Sequence, residues 1–363
     1  SDPDFHTATY LRRISDGHLF MKTLVIGGTG FLGSHIGDTL LSAGHCVGVL
    51  SRNKARSARE LPDSVAIIEG DLALLDQSSL TKILSDFDKL VYAAGGDARV
   101  RPDTDAREFY FRETVETCRT VLLAARDTRI SQVVIHNSIF TCVNRLHPEL
   151  ALTDHHPYIA SRVAQSEMAI AVSKGNFVAS VLEIPWVFGD TKGKPSQWAA
   201  LVNYVRFSRR LIAPKGGAVA ISAENVGRAT LGALSHPTVS ASMPLGDCQL
   251  SWDEMLLQLA ALSGKSDNSV TRLPDSIFTG LTRLGALTMR LVGETSGLDF
   301  SRLNDLLTKE LDVDLTASQE LLNYGQPEIQ SALAATVATV PDYRRAATWR
   351  RWAQFRTANV API

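Results

Sequence analysis

Met21-Lys-Thr-Leu-Val-Ile-Gly-Gly-Thr-Gly-Phe-Leu-Gly-Ser-His-Ile36 is the stretch whose reading decides the fold. The apolar run Leu24 to Ile26 leads straight into glycines at 27, 30 and 33, and a helical pattern of Leu32, Ile36 and Leu40 then ends at Gly44. This spacing predicts strand, tight turn, helix. Glycines suit such a turn because it takes φ values closed to other residues, and because a pyrophosphate must approach bare N–H groups at the positive end of the helix. A glycine turn alone is compatible with a purely structural role. At the head of a repeating βα chain it predicts a dinucleotide site on Gly27, Thr29, Gly30, Phe31, Leu32 and Gly33.

Outward from this stretch, residues 1–20 carry no apolar period, and the short Leu11-Arg-Arg-Ile14 cluster is too little for a targeting segment. They are set aside as an extension or an expression remnant. With 363 residues, 45% hydrophobic, 21% charged and a net charge of −1, the composition is that of a soluble globular protein and gives no reason to expect a nucleic-acid partner. At roughly 100–200 residues per domain, the length allows two domains or one large α/β domain with an appended lobe. No apolar run is long enough for a membrane span. Cys46, Cys118, Cys142 and Cys248 lack metal-ligand spacing, so no metal is expected, and a reducing, cytoplasmic setting is the default.

Cys46 to Leu50 reads as the second strand. After it comes Ser51-Arg52-Asn53-Lys54, where a dinucleotide fold usually carries a carboxylate for the adenosine ribose diol. The arginine found there has a planar fork suited to a 2′-phosphate, which predicts NADP(H) held by Ser51, Arg52 and Asn53. A solvated basic loop of Arg52, Lys54 and Arg56 is the alternative. A third strand, Val65 to Glu69, opens into Gly70-Asp71-Leu72, with Asp71 placed to accept from an adenine amino group. The fourth, Leu90 to Ala94, delivers Ala93, Ala94 and Gly95 to the same edge.

Gly27-Gly-Thr-Gly-Phe-Leu-Gly33, Gly70-Asp-Leu72 and Val91-Tyr-Ala-Ala-Gly95 together resemble the cofactor half of the extended short-chain dehydrogenase/reductases. Within that superfamily the chain is most similar to the branch of 3β-hydroxysteroid dehydrogenases and dihydroflavonol reductases. The resemblance runs from about Met21 to Leu234 and continues more weakly to the C-terminus. It implies an α/β, Rossmann-type doubly wound parallel sheet with a smaller C-terminal substrate lobe. Residues 21–190 would form the NADP-binding core, and 191–363 mainly the substrate lobe, with 216–234 returning to the core.

By the same resemblance the catalytic serine falls on Ser138, at the end of a fifth strand Gln132 to His136, and the catalytic tyrosine on Tyr158 in Tyr158-Ile-Ala-Ser-Arg162. The superfamily pattern is Tyr-x-x-x-Lys, whose four-residue spacing puts both side chains on one helix face. A tyrosine titrates near about 10, so a fixed cation is needed to stabilise its phenolate at neutral pH. Arg162 takes the lysine's place. It keeps the charge and can donate to ribose hydroxyls, but it is bulkier, planar and does not deprotonate, so a proton path through lysine is lost. Proton donation to an alkoxide survives this change better than alcohol oxidation does.

Two more departures stand out. Glu113 replaces the usual asparagine of the helix expected over Arg107 to Arg126, and Glu183 replaces an arginine before Ile184-Pro-Trp-Val-Phe-Gly-Asp190. Pro185 is expected beside the nicotinamide. Trp186, where nucleotide-sugar epimerases carry a nearby asparagine, disfavours a nucleotide sugar.

Further on, Ser196 to Arg209 reads as a lid helix, Gly216 to Ser222 as a strand, and Ala223 to Leu234 as a helix under the sheet. Leu250 to Leu262 is amphipathic, with Ser251 to Glu254 as its cap. Ile277 to Val292 is unusually apolar. A core-facing helix is the commoner reason; a lipophilic pocket or a membrane-surface contact is the other. The tail Tyr343 to Arg356 is basic and aromatic.

The sequence therefore predicts an NADPH-dependent reductase of a lipophilic ketone, enone or quinone-like compound, built on Ser138, Tyr158 and Arg162. Peripheral membrane contact and a monomeric or homodimeric state are compatible with it. Two alternatives stand: an NADP-binding regulatory or assembly protein with a retired site, and an epimerase or dehydratase of the same superfamily.

Overall fold

The near-continuous apolar runs of the first half are buried on both faces of one sheet. In the computed structural model, which describes residues 21–236, 239–265, 269–309, 312–325 and 329–341, the strands follow in chain order. They are β1 (Lys22–Ile26), β2 (Cys46–Ser51), β3 (Ala66–Glu69), β4 (Lys89–Tyr92), β5 (Gln132–Ser138), β6 (Val178–Ile184), β7 (Trp186–Phe188), β8 (Leu211–Ala213), β9 (Gly217–Ser222), β10 (Ala241–Pro244), β11 (Cys248–Ser251) and β12 (Val270–Arg272). Seven of them form a parallel sheet in the order β10-β6-β5-β4-β1-β2-β3. Because successive side chains point to opposite faces, Leu24, Ile26, Leu90 and Val133 enter one hydrophobic cluster, while Val25, Val91 and Val134 enter another.

Helices cover both faces. Phe31–Ser42 and Ala223–Ser235 supply Ile36, Leu40, Val226 and Ala233 to one cluster. Gln77–Leu84, Thr117–Arg126 and Pro157–Ser173 supply Leu80, Val121 and Ala169 to the other. This is the doubly wound arrangement, and it puts every strand's C-terminal end along one edge.

Two expectations need correction here. The helix over Arg107 to Arg126 is not continuous: Ala106–Tyr110 and Thr117–Arg126 flank a π-helical segment, Phe111–Glu116. The apolar segment Ile277 to Val292 does form a helix, Asp275–Leu291, but it does not face a core, since Ala286 is its one buried residue. β10, absent from the sequence reading, completes the sheet beside β6.

The remaining strands make a small sheet, β11-β9-β7, and a pair, β12-β8. Around them Ala199–Phe207, Trp252–Leu262 and Ile329–Thr339 pack Val202, Met255, Leu259 and Leu333 into a separate cluster. Ser251 and Glu254 form the expected reciprocal cap. Residues 1–20 and the tail Tyr343 to Arg356 lie outside the described residues.

Candidate active site

Parallel register aligns the strand ends: Ile26 pairs with Leu50 and Tyr92, Tyr92 with Ile135, and Ser138 with Ile184. The connections after β1 and β4 leave in opposite directions, which opens a cleft of about 280 Å³ at this switch point. Gly27 and Thr29 line it, followed by Ser51, Arg52 and Asn53, then Asp71 and Leu72, then Ala94 and Gly95. Of the residues expected at a cofactor, Gly30, Phe31, Leu32, Gly33, Ala93, Arg162 and Pro185 are not on its wall. Ala93 and Gly33 instead pack directly behind Gly27. Pro185 is buried one residue beyond Ile184, at the same sheet edge as Ser138.

Glycine is required in the first turn. Gly27 has φ +87°, and a Cβ on it would lie 2.6 Å from the carbonyl oxygen of Ala93. A Cβ on Gly33 would lie 2.1 Å from the Gly27 carbonyl oxygen. The Gly30 amide donates to that same oxygen at 3.0 Å. What remains is a bare-backbone cradle at a helix start, which fits a pyrophosphate.

At the far end of the cleft the basic loop becomes structured. Asn53 caps the helix Lys54–Glu60, its Oδ1 accepting from the Arg56 amide at 2.9 Å, and the Ser51 and Ser57 hydroxyls meet at 2.7 Å. Arg56 also reaches the cleft, where its Nε donates to Glu60 at 2.7 Å. Asp71 turns its own loop by accepting from the Ala73 amide at 3.1 Å.

Toward the chemistry, Tyr158 and Arg162 share one face of the helix Pro157–Ser173, and both are buried. The guanidinium carbon lies 5.1 Å from the Tyr158 ring centroid. Arg162 Nη2 donates to the Gly96 carbonyl at 3.0 Å and Nη1 to Gln165 Oε1 at 3.1 Å, while the buried Nε has no hydrogen-bond partner among the described residues. Asn137 ties this helix to β5, its Nδ2 donating to the Arg162 carbonyl at 2.8 Å and to Gln165 Oε1 at 3.0 Å. Gln165 in turn donates to the Thr114 carbonyl at 3.2 Å, within the π-helical segment. Ser138 is buried and caps the helix Ile139–Leu146, accepting from the Phe140 amide at 3.4 Å.

The tyrosine ring is held edge-on against Tyr110, with centroids 5.7 Å apart. Tyr110 donates to the carbonyls of Asp97 and Val100, and burial pushes its phenol well above the usual range. The Tyr158 amide donates to the Gly297 carbonyl at 2.9 Å. Arg99, paired with Asp97, also donates to the Gln197 carbonyl at 3.1 Å. It thus ties the loop after β4 to the segment before the helix Ala199–Phe207.

The two acidic departures have separate fates. Glu113 lines the cleft and pairs with Arg112 at 3.3 Å. Glu183 is fully buried and is met by both Arg145 Nη atoms, at 2.9 and 3.1 Å, and by the Ser242 hydroxyl at 2.8 Å. An arginine arriving from the helix Ile139–Leu146 thus balances the carboxylate on β6. Nearby, burial and the Arg162 charge bring His136 down to about 4, and burial brings His156 to about 4, so both imidazoles stay neutral near pH 7.

A small apolar pocket of about 20 Å³ is walled by Ile139, Phe140, Trp186, Val219, Trp252 and Leu306. The two indoles lie 4.6 Å apart. Sequence reasoning missed Tyr110, Asn137, Gln165 and the position of Arg56 on the cleft wall. A polar residue at a buried helix or strand position, as at Asn137 and Gln165, was the signal available.

Residues 23–207 match the model of the NAD dependent epimerase/dehydratase family. A 4-hydroxy-2-methyl-3-oxo-4-farnesyl-3,4-dihydroquinoline-1-oxide ketoreductase from Stigmatella aurantiaca is 28% identical over 200 residues, covering 52% of this chain. The chain spans about half the length of that relative, 56%. Among solved structures, gox2253 superposes with a TM-score of 0.71 at 17% identity, covering 90% of this chain and 98% of its own. The UDP-N-acetylglucosamine 4-epimerase from Bacillus cereus does so with a TM-score of 0.63 at 15% identity, covering 88% and 98%. Identities this low speak for the fold alone.

Proposed function

Since the chain belongs to the NAD dependent epimerase/dehydratase family, and is therefore an NAD(P)-dependent enzyme of oxidoreductase type, we propose that it reduces a lipophilic small-molecule carbonyl with NADPH. Gly27 and Thr29 would hold the pyrophosphate, with Gly33 letting the helix pack close behind Gly27, Arg52 and Arg56 a 2′-phosphate, Asp71 and Leu72 the adenine, and Pro185 the nicotinamide side. Residues 21–190 would carry the cofactor, and 191–363 mainly the substrate, with 216–234 returning to the core. When bound, the reduced nicotinamide supplies the hydride.

The protein's own residues do the rest. Ser138 donates a hydrogen bond to the substrate oxygen and orients it. Tyr158 gives its phenolic proton to that oxygen as the C–O double bond becomes single, and the tyrosine regains a proton from solvent. Arg162 balances the charge left on the phenolate, and Gly96, Gln165 and Asn137 keep its guanidinium over the ring. Tyr110 fixes the ring's tilt.

The observation that carries this reading is the guanidinium anchored 5.1 Å from the Tyr158 ring, a fixed cation beside the proton donor. The farnesylated compound named for the Stigmatella relative supports a lipophilic substrate. NADPH oxidation over a panel of ketones, enones and quinones tests it, with NADH in parallel. Turnover of at least one lipophilic carbonyl with NADPH preferred is the expected result, and no turnover across the panel would contradict it.

A second reading, a nucleotide-binding protein without turnover, draws on the engagement of both Arg162 Nη atoms by protein acceptors. Tight NADPH binding without oxidation of any member of the panel would favour it.

A further inference from the structure

The helix Asp275–Leu291 presents its apolar side to solvent. Ile277, Leu281, Leu284, Leu287 and Leu291 are each more than half exposed, from 51% at Ile277 to 77% at Leu291, and Val292 follows at 69%. At 3.6 residues per turn these six fall within an arc of about 140°, opposite the buried Ala286. Single exposed leucines are ordinary, but a contiguous stripe of them marks a contact surface. Arg283 and Arg290, seven residues apart and both exposed, border one edge of the stripe. The helix carries one acidic residue, Asp275 at its first position, and it lies on the side opposite the stripe.

We propose that this helix docks the protein on the surface of an anionic lipid bilayer. An outward apolar stripe with a cationic border is the pattern of a helix lying in the lipid interface, its leucines among the acyl chains and its arginines at the headgroups. The helix lies on the surface: no helix among the described residues is long and apolar enough to cross a membrane. The charge pattern disfavours a second copy of the chain, because symmetric pairing of two such helices through the stripe sets arginine near arginine, while the one acidic residue of the helix, Asp275, lies on the side opposite the stripe.

The chain beyond the helix leads directly to the candidate active site. Glu294 pairs with Arg101, Thr295 donates to the Pro102 carbonyl at 2.9 Å, and the Gly297 carbonyl accepts from the Tyr158 amide at 2.9 Å. Docking through Ile277 to Leu291 therefore brings the segment that backs Tyr158 to the lipid surface. The docking argument stands on exposure and charge, independently of the reductase reading.

Co-sedimentation of the full chain with phosphatidylcholine vesicles, with and without phosphatidylglycerol, tests the proposal. The chain should pellet with the phosphatidylglycerol vesicles. The Leu281→Asp/Leu284→Asp double variant should lose about tenfold or more in partitioning. Arg283→Ala and Arg290→Ala should each lose roughly fivefold on anionic vesicles only. All variants should keep the wild-type melting temperature, since the changed side chains are exposed. Failure of the wild type to pellet would overturn the proposal, as would undiminished pelleting of the double variant. A wild-type dimer that Leu281→Asp/Leu284→Asp converts to monomer, with no vesicle binding, would assign the stripe to a second copy and overturn it equally.

Discussion

Arg162 and Gly96 are joined by a hydrogen bond of 3.0 Å from Nη2 to the carbonyl oxygen, which holds the guanidinium against the end of β4 and over the ring of Tyr158. A lysine ammonium has no planar fork with which to reach Gly96, Gln165 and the tyrosine together. The substitution, read in the sequence as a charged replacement for the usual lysine, is embedded in a specific buried network.

In the proposed reaction the phenolic proton of Tyr158 is used and its ring is not. Tyr158→Phe should lower kcat by about 10²–10⁴-fold and leave the NADPH dissociation constant unchanged, because Tyr158 is not on the cleft wall. Stopped-flow turnover together with calorimetry checks both halves. Full turnover in the phenylalanine variant would mean the proton comes from another group.

At the adenosine end, Arg52 stands where a carboxylate would serve a ribose diol. Arg52→Ala should weaken NADPH binding by roughly ten- to a hundredfold and NADH binding little, the worth of one charge-assisted pair. Titration calorimetry with both cofactors reads this. Equal losses for the two would remove the 2′-phosphate from the assignment.

Gly95 couples backbone to site. Its φ is +148°, and a Cβ there would lie 3.1 Å from Arg162 Nη2. Gly95→Ala should cost roughly 1–3 kcal/mol of stability through backbone strain and also lower kcat by displacing the guanidinium. Denaturant unfolding and steady-state kinetics measure the two. An alanine variant with wild-type turnover would show that the position of Arg162 does not matter.

Acid should destabilise the fold through its buried imidazoles. His136 and His156 have folded values of about 4, below the ordinary histidine range near about 6.5, chiefly because burial penalises the charged ring. Between those limits the unfolded chain binds protons that the folded chain does not. Their contribution is therefore complete above about pH 6.5 and is lost as pH falls toward 4, by up to about 1.4 kcal/mol per pH unit for each histidine. His156→Asn keeps an acceptor for the Asp299 amide, which His156 Nδ1 now accepts at 3.0 Å, but it does not titrate. Its melting temperature should therefore fall less steeply with acid than that of the wild type, and an identical slope would remove His156 from the account.

Much of the sheet was legible because β1, β2, β4 and β5 are buried on both faces, so burial wrote itself as apolar runs ending in glycines or in Ser51 and Ser138. β10 was not, because Ala241-Ser-Met-Pro244 is only four residues long with no β-branched run and, as an edge strand, tolerates proline. The glycine turn, Arg52 and Asp71 could be read because local spacing fixes them. The Arg162 network could not, because its acceptors are the Gly96 and His136 carbonyls and Gln165, brought together by sheet register and helix docking. The π-helical segment that presents Thr114 to Gln165 has no composition of its own. For the helix Asp275–Leu291 the period was plain but not the direction it faces, since a stripe of leucines looks the same toward a core or toward solvent.

The most direct measurement of the central claim, that Arg162 is a working cation beside Tyr158, is NADPH oxidation by the wild type and by Arg162→Lys, side by side on a panel of lipophilic ketones. The account predicts turnover by the wild type and slower turnover by the lysine variant, whose ammonium lacks the fork that holds Gly96 and Gln165. Activity that appears only when lysine is restored would contradict it.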